Sequence, residues 1–284
     1  PDNFTAFGSD GFTLGAGHQK YNDQDDTYVA WQWKANGGTT TSNGASGDIK
    51  ASVTQREDTA KFSICTYTGT GINAGQSHRV NHGLGTTPHV MLFKSRGASG
   101  DWVVYHHKNT AAPETDYLVL NSTAATVDSA NKFNDTAPNT SYATIGGDDN
   151  ISSGTMVLYS FAEVQGYSKF GSYEGNNNAD GPFVYLGFKP AFVMIKNIDA
   201  AKVWFMWDNA RDTYNVANHT VEANSSNAEG NTGTGATNYI DMLSNGFKVR
   251  ETGSHLNPDS ETVIYMAFAE HPFVSSEGVP TTAR

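Results

Sequence analysis

Three segments of the chain spell one kind of strand: TYVAWQWK from Thr27, TMVLYSFAE from Thr155 and TVIYMAFAE from Thr262. Each opens on Thr, runs through apolar residues and sets an aromatic six places on, at Trp33, Phe161 and Phe268. Other anchors recur at matched spacing. PHVMLFK from Pro88 aligns with PAFVMIK from Pro190, 102 residues later, with Lys94 and Lys196 six places after the prolines and Trp102 and Trp204 fourteen places after them. YTG at Tyr67–Gly69 answers YEG at Tyr173–Gly175. SDGFTLG at Ser9–Gly15 answers SNGFKVR at Ser244–Arg250, and Gly11 and Gly246 each stand sixteen residues before a closing Thr. Agreement over this many anchors defines an internal repeat, which settles more about the fold than any single motif.

The repeat divides the chain. Residues 1–36 read as a partial module that keeps only a terminal hairpin, Phe4–Gly15 and Tyr28–Lys34. Residues 37–61, rich in Gly, Ser and Thr, read as a linker or arm. Residues 62–165 and 166–284 read as two whole β-sandwich modules, the second with a short C-terminal tail. A hairpin without its other strands has open edges. Either the chain starts inside a larger protein or the hairpin completes a sheet in another module or subunit. Pro1 in place of an initiator Met favours the first.

Helix signals are nearly absent, while runs of four to eight β-branched and aromatic residues alternate with Gly, Asn, Asp and Pro (DWVVYHH, YLVLN, KVWFMWD, GFKVRE). The expected fold is all-β: tandem antiparallel sandwich modules, jelly-roll-like. HVMLFK and AFVMIK are apolar at nearly every place, which predicts strands buried on both faces.

Composition excludes several partners. The net charge is -11, with 29 acidic against 18 basic residues and no Lys/Arg run, so a phosphate-tracking nucleic-acid surface is absent. An anionic membrane surface is disfavoured for the same reason. No apolar run approaches the ~18 residues of a membrane span. A single cysteine, Cys65, excludes an internal disulfide and a cysteine zinc site, and its place in FSICTY predicts a buried strand thiol.

Candidate chemistry is thin. His106 and His107 are adjacent and would point to opposite faces of a strand, while His78, His82 and His89 do not converge on an extended chain. At a constant interval of 102, the second module carries Val184 for His82 and Asp208 for His106. The acidic strings Asn22–Asp26 and Gly146–Asn150 lack a calcium-loop pattern and read as turns. Asp101, Glu114, Glu163 and Glu174 are carboxylates that no spacing pairs for glycoside hydrolysis. There is no GxSxG, P-loop or dinucleotide fingerprint. No catalytic, cofactor or metal residue is assigned, and no ligand-binding residue either. Among Trp31, Trp33, Trp102, Trp204 and Trp207, the first four are expected in the core and Trp207 is the exception, standing where the first module has Tyr105. Sequons at Asn3, Asn121, Asn134, Asn218 and Asn224 follow from composition. The loops Asn109–Asp116 and Asn224–Asn238 are where recognition would be easiest to place.

Taken together, VNHGLGTTPHVMLFKSR, FNDTAPNTSYATIG, VQGYSKFGSYEGN, DGPFVYLGFKPAFVMIKN and YMAFAEHPF resemble tandem repeat modules of marine bacteriophage tail-fibre and receptor-binding proteins, over almost the whole chain. The resemblance implies a virion structural protein without enzymatic activity, in a tail or other external appendage. It implies attachment to a host-surface glycan or protein, contacts with other virion proteins, and a homotrimer whose copies cover one another's strand edges. It also implies that EHPFVSSEGVPTTAR is a natural end. Capsid decoration and polysaccharide depolymerisation are the alternatives.

Overall fold

The computed structural model describes residues 4–8, 11–15, 21–35, 38–39, 49, 51–231 and 239–270. The C-terminal tail, the sequon at Asn3 and the second half of the loop after Asn224 lie outside the described residues. The chain forms two compact units, Pro1–Lys34 and Ala35–Arg284.

The first unit carries a hairpin of β1 (Phe4–Phe7) and β2 (Phe12–Leu14). Its aromatics hold it: Phe4 lies 5.2 Å from the Phe12 ring and 6.1 Å from that of Tyr21. Tyr28–Lys34, expected as a strand, carries none. In the complete modules this segment is a central strand paired on both sides, whereas among the described residues of the partial module no flanking strand satisfies its backbone groups.

The second unit contains both whole modules. The first runs through β3 (Gly38–Thr39), β4 (Ala51–Glu57), β5 (Phe62–Thr68), β6 (Ser77–Asn81), β7 (Val90–Ser95), β8 (Val103–His106), β9 (Asp116–Val119), β10 (Val127–Asp128), α1 (Ala130–Phe133), β11 (Tyr142–Gly146), α2 (Asp149–Ser152) and β12 (Thr155–Phe161). Eight strands make one antiparallel sheet, ordered β10-β9-β8-β7-β12-β5-β4-β3, and β11 and β6 make a second layer. The second module runs through β13 (Ser168–Glu174), β14 (Phe183–Tyr185), β15 (Pro190–Asn197), β16 (Phe205–Asp208), β17 (His219–Glu222), β18 (Gly230–Asn231), β19 (Ile240–Leu243), β20 (Gly246–Val249) and β21 (Thr262–Ala269). Its sheets are β13-β21-β15-β16-β17-β18 and β14-β20-β19.

The repeat is therefore structural. The order β9-β8-β7-β12-β5 recurs as β17-β16-β15-β21-β13. Registers recur as well: Phe93 faces Leu158 as Ile195 faces Tyr265, and Thr68 faces Thr155 as Glu174 faces Thr262. In the small sheets Val80 faces Ala143 as Val184 faces Phe247. Val184 is thus the counterpart of Val80, not of His82: the two modules differ in length between β5 and β7, so a constant interval of 102 fails there. The β1–β2 hairpin repeats β19–β20, with Phe7 facing Phe12 as Met242 faces Phe247.

The shared motifs have shared jobs. Tyr67 donates its hydroxyl to the Ile151 carbonyl (2.5 Å) and Tyr173 to that of Leu256 (2.7 Å). The amides of Gly69 and Gly175 bond the carbonyls of Gly154 and Glu261, at 2.8 and 3.0 Å. A Cβ on either glycine would overlap a backbone carbonyl, that of Ser152 or of Pro258. The Trp102 and Trp204 amides donate to Asn121 and Asn224 side chains at 2.7 and 2.8 Å. Lys94 and Lys196 reach the carbonyls of Ala98 and Ala200, each four residues on, at 3.5 and 3.4 Å.

Residues 37–61 are not only a linker. Ala51–Glu57 forms β4, paired along β5 from Ala51 opposite Tyr67 to Glu57 opposite Phe62, with Thr54 buried. The β-branched pair Val53 and Thr54 in SVTQRE supplies a strand that closes the edge β5 would otherwise expose.

Each module has its own core. In the first, Cys65, Tyr67, Met91, Phe93, Tyr105 and Leu158 from the large sheet meet Val80, Ala143 and Ile145 from the small one. In the second, Ile195, Trp207, Val263 and Tyr265 meet Val184, Ile240, Phe247 and Val249. The opposite faces of the large sheets are buried too, at Val104, His106 and Leu118 in the first and Met194, Ile264, Met266 and Phe268 in the second. The modules join there. Phe161 and Phe268, equivalent residues of the two closing strands, lie 6.0 Å apart, and Phe170 lies 6.2 and 5.7 Å from them. Trp204 donates its indole N–H to the Val119 carbonyl at 3.0 Å, and Lys196 reaches that of Thr123 at 3.1 Å. This seam is why β7 and β15 are apolar on both faces.

Gly69→Ala and Gly175→Ala each lower stability by about 2 kcal/mol or more, since a backbone carbonyl must give way. Urea unfolding checks this against Gly11→Ala, where a Cβ meets nothing within 4 Å. A silent change at either repeat glycine would contradict the packing described.

Candidate functional site

The seam opens into a cleft of about 520 Å3. It is lined by His89, just ahead of β7; Glu163 and Gln165, in the connection after β12; Ser168 and Lys169, which open β13; and Tyr185, Leu186 and Gly187, at the end of β14. Both modules contribute, because the chain leaves one closing strand at Phe161 and starts the next module at once.

Main-chain bonds fix the histidines here. His89 Nδ1 accepts the Glu163 amide N–H at 3.2 Å. His107 Nε2 donates to the Phe170 carbonyl at 2.6 Å, and His106 Nε2 to that of Tyr265 at 3.2 Å, so two module-one rings are tied to module-two backbone. His89 and His107 meet edge-on at 4.5 Å. His78 and His82 bond separate partners and do not meet His89, as expected; His89 instead clusters with His106 and His107, which spacing along one strand could not reveal because β7 and β8 are paired neighbours. Burial lowers the pKa of all three, most for His106, which falls to about 3 with the neighbouring His107 adding to the effect. The rings are neutral at pH 7. His106 Nδ1 also accepts the Lys108 amide at 3.1 Å, and Asp208, its counterpart, accepts the Ala210 amide at 3.1 Å. A His in one copy and an Asp in the other do the same turn-closing job.

Glu163 takes the Phe170 amide on Oε1 at 2.8 Å and stands 4.0 Å from His107. Lys169 donates to the Tyr185 carbonyl at 2.7 Å with its ammonium 5.4 Å from the Tyr185 ring centre. Among the described residues Glu163 is the one carboxylate in the cleft lining; Asp101, Glu114 and Glu174 are not part of it. Among the described residues no group of three His, Cys, Asp or Glu side chains could hold a metal ion.

The remaining candidates are accounted for elsewhere. Cys65 is buried, its Sγ 3.3 Å from the Asn81 carbonyl, and desolvation pushes its pKa to about 12. His82 is buried between the Asn139 carbonyl and the Leu84 amide, and His78 bonds Thr70. Gly146–Asn150 leads into the single turn α2, with Asp148 paired to Lys132. Trp207, set apart in the sequence because the first module has Tyr105 in its place, is the most deeply packed of the five, at 0% exposure. Trp204 is buried at the seam, while Trp31, Trp33 and Trp102 are half-buried. The loop Asn109–Asp116 is tied down, with Asn109 buried against Thr126 and Thr110 bonded to Asp116.

Two residues with a claim on function were missed. Phe183 and Tyr185 are 46% and 59% exposed, on either side of buried Val184. Strict alternation in FVY would have found them, since the strand's period of two sends both rings outward.

The chain belongs to the family of the domain of unknown function DUF7483. Its family model matches residues 1–272, the partial module and both whole ones together. No curated protein and no solved structure matches the chain. No helix among the described residues is long and apolar enough to cross a membrane.

The histidine seam gives a pH dependence of definite sign. A folded pKa below the ordinary 6.5 means the unfolded chain binds more protons, so His106 contributes stability that is full above pH 6.5 and is lost as pH falls toward 3. In that window the loss is about 1.4 kcal/mol per pH unit for this one ring. His106→Asn keeps an acceptor for the Lys108 amide and flattens the fall in melting temperature between neutral and acid pH. An unchanged slope would remove His106 from the account.

Proposed function

We propose that the chain is an attachment module of a bacteriophage virion, a tail-fibre or receptor-binding appendage that contacts the host surface. One observation carries this reading. Phe183 and Tyr185 project from the edge strand β14 beside a polar cleft, while Phe62, Phe93, Phe161, Phe247, Trp204 and Trp207 are packed inside. A rigid stacked-sheet scaffold that keeps most large aromatics inside, and in the second unit leaves Phe183, Tyr185 and Tyr214 exposed with the first two side by side on one strand, is suited to recognition of an outside partner. The resemblance to marine phage appendage repeats supports the same reading. Among the described residues the cleft holds a single carboxylate, which lends no support to a depolymerase that would use two facing carboxyl groups. Capsid decoration would use the same scaffold with a virion protein as partner.

The proposal includes a homotrimer, in which neighbouring copies cover edge strands such as β10 and the partial module's hairpin and leave β14 open. Light scattering is expected to give three times the chain mass of 30.5 kDa, and fluorescently labelled protein is expected to stain a subset of marine bacterial strains. A monomer that stains no strain would overturn the proposal. Cryo-electron microscopy of the particle separates appendage from capsid.

A further inference from the structure

Resting on that attachment reading, we infer that the cleft between the modules is a binding site for a neutral pyranose sugar, with Tyr185 as its stacking platform and Glu163, Gln165 and His89 as partners for its hydroxyls. The volume of about 520 Å3 falls within the ~300–1,000 Å3 of small-molecule pockets and takes one or two sugar rings. Sugar faces are apolar C–H surfaces rimmed by hydroxyls, so they need a flat aromatic and a few fixed polar groups. Tyr185 supplies the first. It is 59% exposed, and Lys169 holds it by bonding its carbonyl at 2.7 Å with the ammonium 5.4 Å from the ring centre, so little freedom is lost on stacking.

The polar groups are placed by backbone bonds. Glu163 commits Oε1 to the Phe170 amide at 2.8 Å, which orients the carboxylate and leaves Oε2 as an acceptor. His89 commits Nδ1 to the Glu163 amide at 3.2 Å, so the neutral ring carries its proton on Nε2 as a donor. Among the described residues the Gln165 amide makes no hydrogen bond, and it offers both donor and acceptor. A donor, an acceptor and an amide of both kinds match vicinal hydroxyls. Glu163 and Lys169 offset each other in charge, so the site selects neither an anionic nor a cationic sugar.

The test is a two-dimensional NMR titration of the full chain with methyl glycosides of glucose, galactose, mannose and N-acetylglucosamine, and with methyl glucuronide as the charged probe. At least one neutral glycoside is expected to shift cleft resonances with a Kd of about 1–10 mM, typical of a single small ligand. Tyr185→Ala weakens that binding about tenfold or more and Glu163→Gln by about threefold or more. Both variants are expected to keep the wild-type spectrum elsewhere, since neither side chain belongs to a module core. Shifts with the glucuronide alone, shifts that survive Tyr185→Ala, or no shift with any probe would each overturn the site. Cell staining tells the two readings apart. Staining that persists in Tyr185→Ala sinks the sugar site and leaves attachment standing; absence of staining by the wild type sinks attachment itself.

Discussion

Everything in the second unit follows from burying both faces of two central strands. β12 and β21 each sit between two partners in a large sheet. One face of each sheet is covered by the module's own small sheet, as in any sandwich. The other face is apolar as well, and a single module has nothing to set against it. Back-to-back packing meets that need, and the equivalent residues Phe161 and Phe268 touch across it. A lone module would expose Val104, Leu118 and Phe161 on one side, or Met194, Ile264, Met266 and Phe268 on the other. The two copies are folding partners, not beads on a string.

What the repeat conserves is the set of backbone bonds more than residue identity. His106 and Asp208 are different chemistries with one task, since a neutral ring nitrogen and a carboxylate oxygen both accept the turn amide two residues on. Lys196 is more deeply buried than Lys94. It adds the carbonyls of Thr123 and Lys202 to its bonds, at 3.1 and 2.7 Å, and desolvation lowers its pKa to about 8. The same position that closes a hairpin in one module also fastens the seam in the other. Tyr67 and Tyr173 likewise keep one bond through two unlike connections.

Spacing made the repeat, the all-β class and the doubly buried strands legible, because period and turn chemistry are local properties. Two errors came from partners that lie outside the local window. Tyr28–Lys34 has the strand pattern, but among the described residues no strand is paired with it, so pattern alone was not enough. Ala51–Glu57 has a weak pattern, lying in a Gly- and Ser-rich stretch, yet β5 offers it a complete ladder. The cleft was illegible for a third reason. Lys169 and Tyr185 stand only 16 residues apart, but His89 is 74 residues from Glu163, and only the seam brings its strand to them. The exposed Tyr185 was the one part that alternation within FVY could have disclosed.

The site also stands where the two copies differ, which bears on how a repeat acquires a function. By register, the counterparts of Lys169 and Tyr185 in the first module are Ser63 and Asn81, and Ser63 is spent on the His82 carbonyl. Glu163 has a true counterpart in Glu270, but that carboxylate is paired at 2.7 Å with Lys189, whereas Glu163, 4.0 Å from His107, pairs with no Lys or Arg among the described residues and bonds a module-two amide instead. A position that closes an ion pair at the end of one module becomes, at the junction, an acceptor in an open cleft. Duplication thus supplied the scaffold twice and the seam once. The residues that differ between the copies, Lys169 and Tyr185, line the cleft, and the repeat bonds of Tyr67 and Tyr173 lie outside it.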